Sequence, residues 1–171
     1  MKILVISDSH GIEEEMLELL RYYRDKVDYI IHCGDSELNE NHEVWSLCDS
    51  VVKGNNDFYA PFDNYQIVKA GDENIFVAHG HMHVVSFTRA QLANAAYENK
   101  CRIALYGHTH ILKVEDEEGV ACINPGSFNH SRGPIKERTY AIVSVDGNIV
   151  DVEFYKHDRT RLEGLEDRVV L

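Results

Sequence analysis

Apolar positions along the chain fall into short β-branched runs separated by polar turns, and their spacing changes character after residue 110. Residues 2–7 read as a strand. Behind the turn Asp8-Ser9-His10-Gly11, the residues Ile12, Met16, Leu19, Leu20 and Tyr23 recur at the spacing of one helical face. Next come a strand at 29–33, a polar stretch at 36–47 that predicts a helix, and a strand at 51–53. A repeated strand, helix, strand unit predicts parallel pairing. Further strands are predicted at 65–69, 74–78 and 102–106, the last after a helix whose start carries the capping-box pattern Thr88-x-x-Gln91.

Beyond residue 110 the runs 112–115 and 120–124 are separated only by the turn-rich stretch 116–119, as in a hairpin. A second hairpin is predicted from 140–145 and 149–155 around Asp146-Gly147-Asn148; in its second arm Val150, Val152 and Phe154 alternate with Asp151 and Glu153. Parallel units continued by antiparallel hairpins predict two packed sheets with helices outside. No linker or repeat interrupts residues 1–171, so one domain is expected; the charged tail 156–171 has no readable place.

Composition narrows the class. With 171 residues, 44% hydrophobic and 27% charged, the chain can bury a single core, which excludes a disordered protein. Its longest apolar runs fall far short of the roughly 20 residues that cross a bilayer. The run after Met1-Lys2 is also shorter than a secretory core of about 7 to 15 residues, so a cytoplasmic chain that begins here is expected. Against 17 basic residues stand 29 acidic ones, a net charge of -12 that argues against broad nucleic-acid binding. An anionic substrate then needs positive charge concentrated at its site, which points to metal ions. Cys33, Cys48, Cys101 and Cys122 lack C-x-x-C spacing and read as reduced, buried thiols.

The chemistry collects at strand ends. Asp8, Asp35, Asn55, His79 and His108 each lie within two residues after an apolar strand candidate, and Gly34, Gly54, Gly80 and Gly107 adjoin them. In open α/β sheets the carboxyl ends of the strands open on one crevice, so residues distant in sequence meet there. With His10 and His110 the set offers two carboxylates, four imidazoles and an amide oxygen, too many for one ion. Two ions about 3.5 to 4 Å apart would use it fully. Nitrogen and oxygen donors without thiolate suit manganese, nickel, iron, cobalt or zinc. Two divalent cations against two carboxylates leave a positive centre, which a hydroxide and a phosphodiester monoanion neutralise. Metal binding brings the pKa of water down towards roughly 7, so phosphoester hydrolysis is the expected reaction.

The motifs Asp8-Ser9-His10, Gly34-Asp35, Gly54-Asn55-Asn56-Asp57, His79-Gly80-His81 and Gly107-His108-Thr109-His110 resemble, in order and spacing, those of the calcineurin-like metallophosphoesterase superfamily. The short chain, the Gly-Asn-x-Asp form of the third motif and Asn124-Pro125-Gly126-Ser127 look most like its small YfcE-like phosphodiesterase branch. That resemblance implies a four-layer αββα sandwich of two mixed sheets flanked by helices. It also implies Asp8, His10, Asp35 and His110 on one ion, and Asp35, Asn55, His79 and His108 on the other, with Asp35 bridging and Asp35, Asn55, His79 and His108 central to catalysis. One departure stands out: many members place a histidine proton donor directly after the ligand asparagine, where this chain has Asn56. An amide cannot act as a general acid, which favours esters whose leaving group departs unaided.

Around that set, His81 and His83 are candidate substitutes for the missing acid, Asp57 is a candidate to orient a ligand, and Arg132 is a candidate to hold a phosphate oxygen. His32 reads as a core histidine; His42, His130 and His157 read as solvent-facing. Glu13, Glu14 and Glu15 read as a solvated first helical turn. The expected partner is a small phosphoester. A phosphomonoesterase on the same site and a catalytically silent scaffold, as in the retromer subunit of this fold, are the alternatives; the intact ligand set argues against the scaffold. The sequence does not fix whether the chain forms a homo-oligomer.

Overall fold

The computed structural model describes residues 1–171. Its strands form two mixed sheets. The six-stranded sheet runs β11 (Asp167–Val170), β10 (Ile149–Lys156), β9 (Thr139–Asp146), β1 (Lys2–Ile6), β2 (Tyr29–His32) and β3 (Ser50–Val51). The five-stranded sheet runs β4 (Tyr65–Ala70), β5 (Glu73–Ala78), β6 (Ile103–Leu105), β8 (Val120–Asn124) and β7 (Lys113–Glu117).

The period of two in each strand sorts its side chains between layers. Ile3 and Val5 of β1 and Ile31 of β2 meet Ile75 and Val77 of β5 and Ile103 and Leu105 of β6 between the sheets. Their neighbours face outwards. Leu4, Ile6, Ile30 and Ile142 receive Met16, Leu19 and Leu20 of α1 (Glu14–Tyr23), while Phe76, Ala78 and Ala104 receive Leu92, Ala93 and Ala96 of α2 (Ala90–Glu98). Burying each of the fully covered Met16, Leu19 and Leu20 contributes about 1.5–3 kcal/mol. The result is the expected αββα layering, with thin helical layers.

Several local expectations change. β4 and β5 form an antiparallel hairpin, Tyr65 opposite Ala78 and Ala70 opposite Glu73. Only Gly71 and Asp72 separate them, and a parallel crossover needs about a dozen residues. The two later hairpins go to different sheets. β8 pairs with β6 in parallel and carries β7 to the edge of one sheet, whereas β9 pairs antiparallel with β1 in the other, so parallel and antiparallel pairs mix in both. Of the helix expected at 36–47 only the 3-10 turn Glu43–Leu47 exists. The preceding residues are held by other partners: Glu37 N–H by Asp57 Oδ1, and Trp45 Nε1–H on Asn39 O. β3 is shorter than expected.

Thr88 and Gln91 form no reciprocal box; Thr88 Oγ1 accepts from Ala90 N–H, and Arg89 stands at the cap. Glu15 is not simply solvated, because it pairs with Arg138 at 2.5 Å and ties α1 to the loop before β9. The tail finds its place as an edge strand: Val169 lies opposite Val150 and enters the inter-sheet core, and Arg168 meets Asp151 at 2.6 Å on the wet face. All four cysteines are unpaired, with Cys48 half-buried and the others buried. No helix is long and apolar enough to cross a membrane.

Candidate metal centre

The loops that leave β1, β2, β5 and β6, with that after β3, meet at one end of the sandwich. Backbone bonds fasten them together: Asp8 N–H to Gly34 O at 3.0 Å, His10 N–H to Asp35 O at 3.1 Å, and Gly107 N–H to His79 O at 3.0 Å. Asp8, His10, Asp35, His108 and His110 all adopt φ between 41° and 70°. A left-handed backbone at a non-glycine residue costs of order 1–3 kcal/mol, and it is concentrated here on the predicted ligands. Two glycines are obligatory for a different reason. A Cβ at Gly54 would collide with the Asp35 carboxylate, and one at Gly107 with Ser7 Oγ and the Asp8 carboxylate.

Asp8, His10, His79 and His110 each have one polar atom fixed from behind and another turned inwards. Asp8 Oδ2 accepts from Ser7 Oγ–H at 2.6 Å and His108 N–H at 3.0 Å, whereas Asp8 Oδ1 is buried with no hydrogen-bond partner. His79 Nδ1–H donates to Cys33 O at 2.7 Å, so Nε2 presents its lone pair, also buried and without a partner. His110 Nδ1–H donates to His130 O at 3.0 Å, and His10 Nδ1–H to Glu37 Oε1 at 2.6 Å. Their Nε2 atoms therefore face each other at 3.1 Å.

Lone pairs thus point at lone pairs. Asp8 Oδ1 lies 3.1 Å from His110 Nε2, 3.8 Å from His79 Nε2 and 4.0 Å from His10 Nε2. Asp35 Oδ2 lies 3.3 Å from His79 Nε2 and 4.0 Å from His10 Nε2. Two compact trios result, Asp8-His10-His110 and Asp8-Asp35-His79, with Asp8 common to both. Buried acceptors aimed at one another are costly unless a proton or cation lies between them. The donor set fits divalent ions, because a neutral imidazole or carboxylate with its second polar atom anchored is how metal ligands are held.

Electrostatics agrees. Burial pushes the Asp8 carboxyl up, but His110 and His79 outweigh it and hold the group below its ordinary range. Asp35 behaves likewise, with His79 and Asn56 opposing its burial. For His79 burial pulls down while Asp35 and Asp8 push up, and the push wins. Burial, reinforced by His79, lowers His108.

Asn55 and His108 stand beside the second trio rather than inside it. Asn55 is exposed, its Oδ1 is 2.9 Å from His108 Nδ1, and the His108 ring lies 5.3 Å from that of His79. His81 joins this side, 5.5 Å from His79, with its Nδ1 buried and unpaired, and burial lowers its pKa. His83 instead meets Phe76 edge-on at 5.7 Å, which takes it out of the group. Asp57 touches no ligand side chain; its carboxylate takes Gly54 N–H at 2.8 Å and Glu37 N–H at 2.7 Å, pinning the third motif against the second. Asn56 does touch one, donating to both oxygens of Asp35. Arg132 is exposed, its N–H on His110 O at 3.2 Å, and its charge helps to depress His108 and His130.

Sequence reasoning missed two residues, Glu37 and His130. The first orients His10; the second supplies the carbonyl that orients His110, and its ring lies 4.6 Å from that of His110. Only their nearness to Asp35 and to Ser127 in sequence signals them. Ser127 and Asn124 are braces: Ser127 Oγ–H donates to Asp8 O at 2.9 Å, and Asn124 Nδ2–H to Gly107 O at 2.8 Å. His32 is the expected core histidine, accepting from Gly34 N–H and donating to Ser9 Oγ at 3.0 Å, with burial pushing its pKa down to about 4. A groove of about 880 Å³ between Tyr29 and β4 is lined by none of the strand-end residues.

Comparison with known proteins gives the family. A model of the calcineurin-like phosphoesterase superfamily domain matches residues 1–148. The chain is 39% identical over 173 residues to the probable metallophosphoesterase YsnB of Bacillus subtilis, covering 100% of both chains. It is 28% identical over 144 residues to phosphodiesterase MJ0936 of Methanocaldococcus jannaschii, covering 74% of this chain and 83% of that one. Among solved structures, a conserved uncharacterized protein of Streptococcus pneumoniae, described as a predicted phosphoesterase, superposes with a TM-score of 0.94 at 36% identity, covering 99% of this chain and 97% of that one. The fold is also shared with the phosphoesterase YfcE of E. coli (TM-score 0.63, 18% identity, 99% of both chains covered). Zinc-complexed Vps29 of Entamoeba histolytica shares it too (TM-score 0.71, 22% identity, 100% of this chain and 98% of that one). The chain belongs to the calcineurin-like phosphoesterase superfamily, and its two mixed sheets are the metallophosphoesterase fold.

Proposed function

We propose that this chain is a phosphodiesterase that works with two divalent cations. The observation that carries the reading is the pair of fully buried atoms Asp8 Oδ1 and His79 Nε2, each turned towards other acceptors and neither satisfied within the protein. Asp8 Oδ1 is nearest His110, so Asp8, His10 and His110 are assigned to one ion. Asp35 Oδ2 lies nearest His79 and the distances leave Asp8 common to both trios; it is the motif resemblance that assigns Asp35 to both ions, with Asn55, His79 and His108 completing the second. Manganese, nickel, iron, cobalt and zinc all suit these donors.

Bound divalent ions supply Lewis acidity, which brings the pKa of water towards about 7 and offsets charge at phosphorus. The protein's own residues do the rest. Asn56 and Cys33 O fix Asp35 and His79, Glu37 and His130 O fix the tautomers of His10 and His110, and Arg132, whose charge reaches His108, is our candidate to take a phosphate oxygen. Two cations against two carboxylates leave a charge suited to a diester monoanion with its nucleophile, and the name of the M. jannaschii relative points the same way.

The test is manganese- or nickel-loaded protein with bis-p-nitrophenyl phosphate and p-nitrophenyl phosphate side by side, Asp35→Asn and His79→Ala serving as controls. Metal-dependent diester turnover that both substitutions abolish supports the reading. Preference for the monoester would make the chain a phosphomonoesterase; no site-dependent turnover would favour an interaction scaffold.

A further inference from the structure

The loop that follows the third motif carries two adjacent aromatic side chains into water, Phe58 at 72% and Tyr59 at 98% exposure. They edge a cavity of about 480 Å³ that is completed by Glu37, Asn39, Glu40 and Asn56. Two of those residues bound the metal centre itself: Asn56 holds Asp35, and Glu37 holds His10. The cavity therefore adjoins the metal centre through these two residues, which hold ligand side chains from its wall.

The loop is built to hold this shape. Asp57 ties it to Gly54 and Glu37, Ala60 N–H returns to Asp57 O at 3.3 Å, and Lys53 Nζ donates to Phe58 O at 3.4 Å. Phe and Tyr present a large flat face at small cost in rotamer freedom, which suits stacking on a planar group. The charge is one-sided. Glu37, Glu40 and Asp57 line the cavity and no basic side chain does, so an anionic occupant is repelled.

We infer that this cavity receives the organic substituent of the phosphodiester, and that the substituent is aromatic and carries no negative charge, an uncharged nucleoside being the model ligand. The inference rests on the phosphodiesterase reading for its substrate, but its binding arm does not. Saturation-transfer NMR with uridine is expected to show contact in the wild type and in Asp35→Asn, and to lose it in Phe58→Ala and Tyr59→Ala; 5-carboxyuridine is expected to show none. In the kinetic arm, uridine 5′-(p-nitrophenyl phosphate) and methyl p-nitrophenyl phosphate share one leaving group. Tyr59→Ala is expected to lower kcat/KM for the nucleoside ester about tenfold, a typical loss for one base stacked on an aromatic ring, and to leave the methyl ester unchanged. Absence of uridine contact in the wild type, or equal contact by uridine and its carboxylate, overturns the inference. Uridine contact without turnover of either ester supports the cavity and overturns the phosphodiesterase reading alone.

Discussion

Asn56 clamps Asp35: its backbone N–H donates to Oδ1 at 2.8 Å and its side-chain amide to Oδ2 at 2.6 Å. The residue standing where related motifs carry a proton donor thus orients a carboxylate instead. Leaving groups must then depart without a proton from this position. Aryl phosphodiesters are expected to turn over faster than alkyl ones by more than their intrinsic reactivity accounts for, and Asn56→His to narrow the gap. Rates that match for both ester types in the wild type would refute this role.

Gly107 has the Asp8 carboxylate and Ser7 Oγ against its backbone. Gly107→Ala is expected to cost about 1–3 kcal/mol in denaturant unfolding, a typical overpacking penalty, and to weaken metal binding because Asp8 is displaced. The same substitution at Gly147, whose Cβ would meet nothing, tests space against φ, since its φ of 56° strains any side chain.

Metal binding should depend on pH through His79. Burial lowers this imidazole, but Asp35 and Asp8 raise it further, above its ordinary 6.5. A cation requires the neutral ring, so proton competition sets in as pH falls through that raised value, before an ordinary histidine would titrate. Asp8 and Asp35, both held below the ordinary carboxylate range, stay ionised there. Calorimetric titration with manganese in buffers of different ionisation enthalpy is expected to show proton release and an affinity that weakens as pH falls through the raised His79 value. A flat profile would contradict it.

Glu37, itself in a left-handed backbone, fixes His10 by a 2.6 Å bond. Glu37→Ala is expected to weaken metal affinity about 10- to 100-fold in competition with a chromophoric chelator, the usual effect of removing a histidine's carboxylate partner. Melting of the metal-free protein should barely move.

The strand-end ligands were legible because each follows a short apolar run, and the alternation of Ile3 and Val5 with Leu4 and Ile6 marks two buried faces at sequence level. What escaped was set by partners distant in the chain. Nearness to Asp35 and Ser127 marks the neighbourhood of Glu37 and His130, but the partners themselves, His10 and His110, lie 27 and 20 residues away. The 36–47 segment is polar enough to pass for a surface helix, yet Glu37 is held at a φ of 56°, a left-handed conformation an α-helix does not accommodate, with its N–H on Asp57. The tail has no readable place in the sequence because only Val169 of β11 enters the core, the rest of that edge strand facing water.

The proposed chemistry requires the clustered acceptors to hold a pair of cations. Inductively coupled plasma mass spectrometry on manganese-loaded, gel-filtered protein measures this directly. Two equivalents per wild-type chain, falling to one in His79→Ala with the His10 and His110 side intact, is the predicted result. One equivalent or none in the wild type would rule out a two-cation centre.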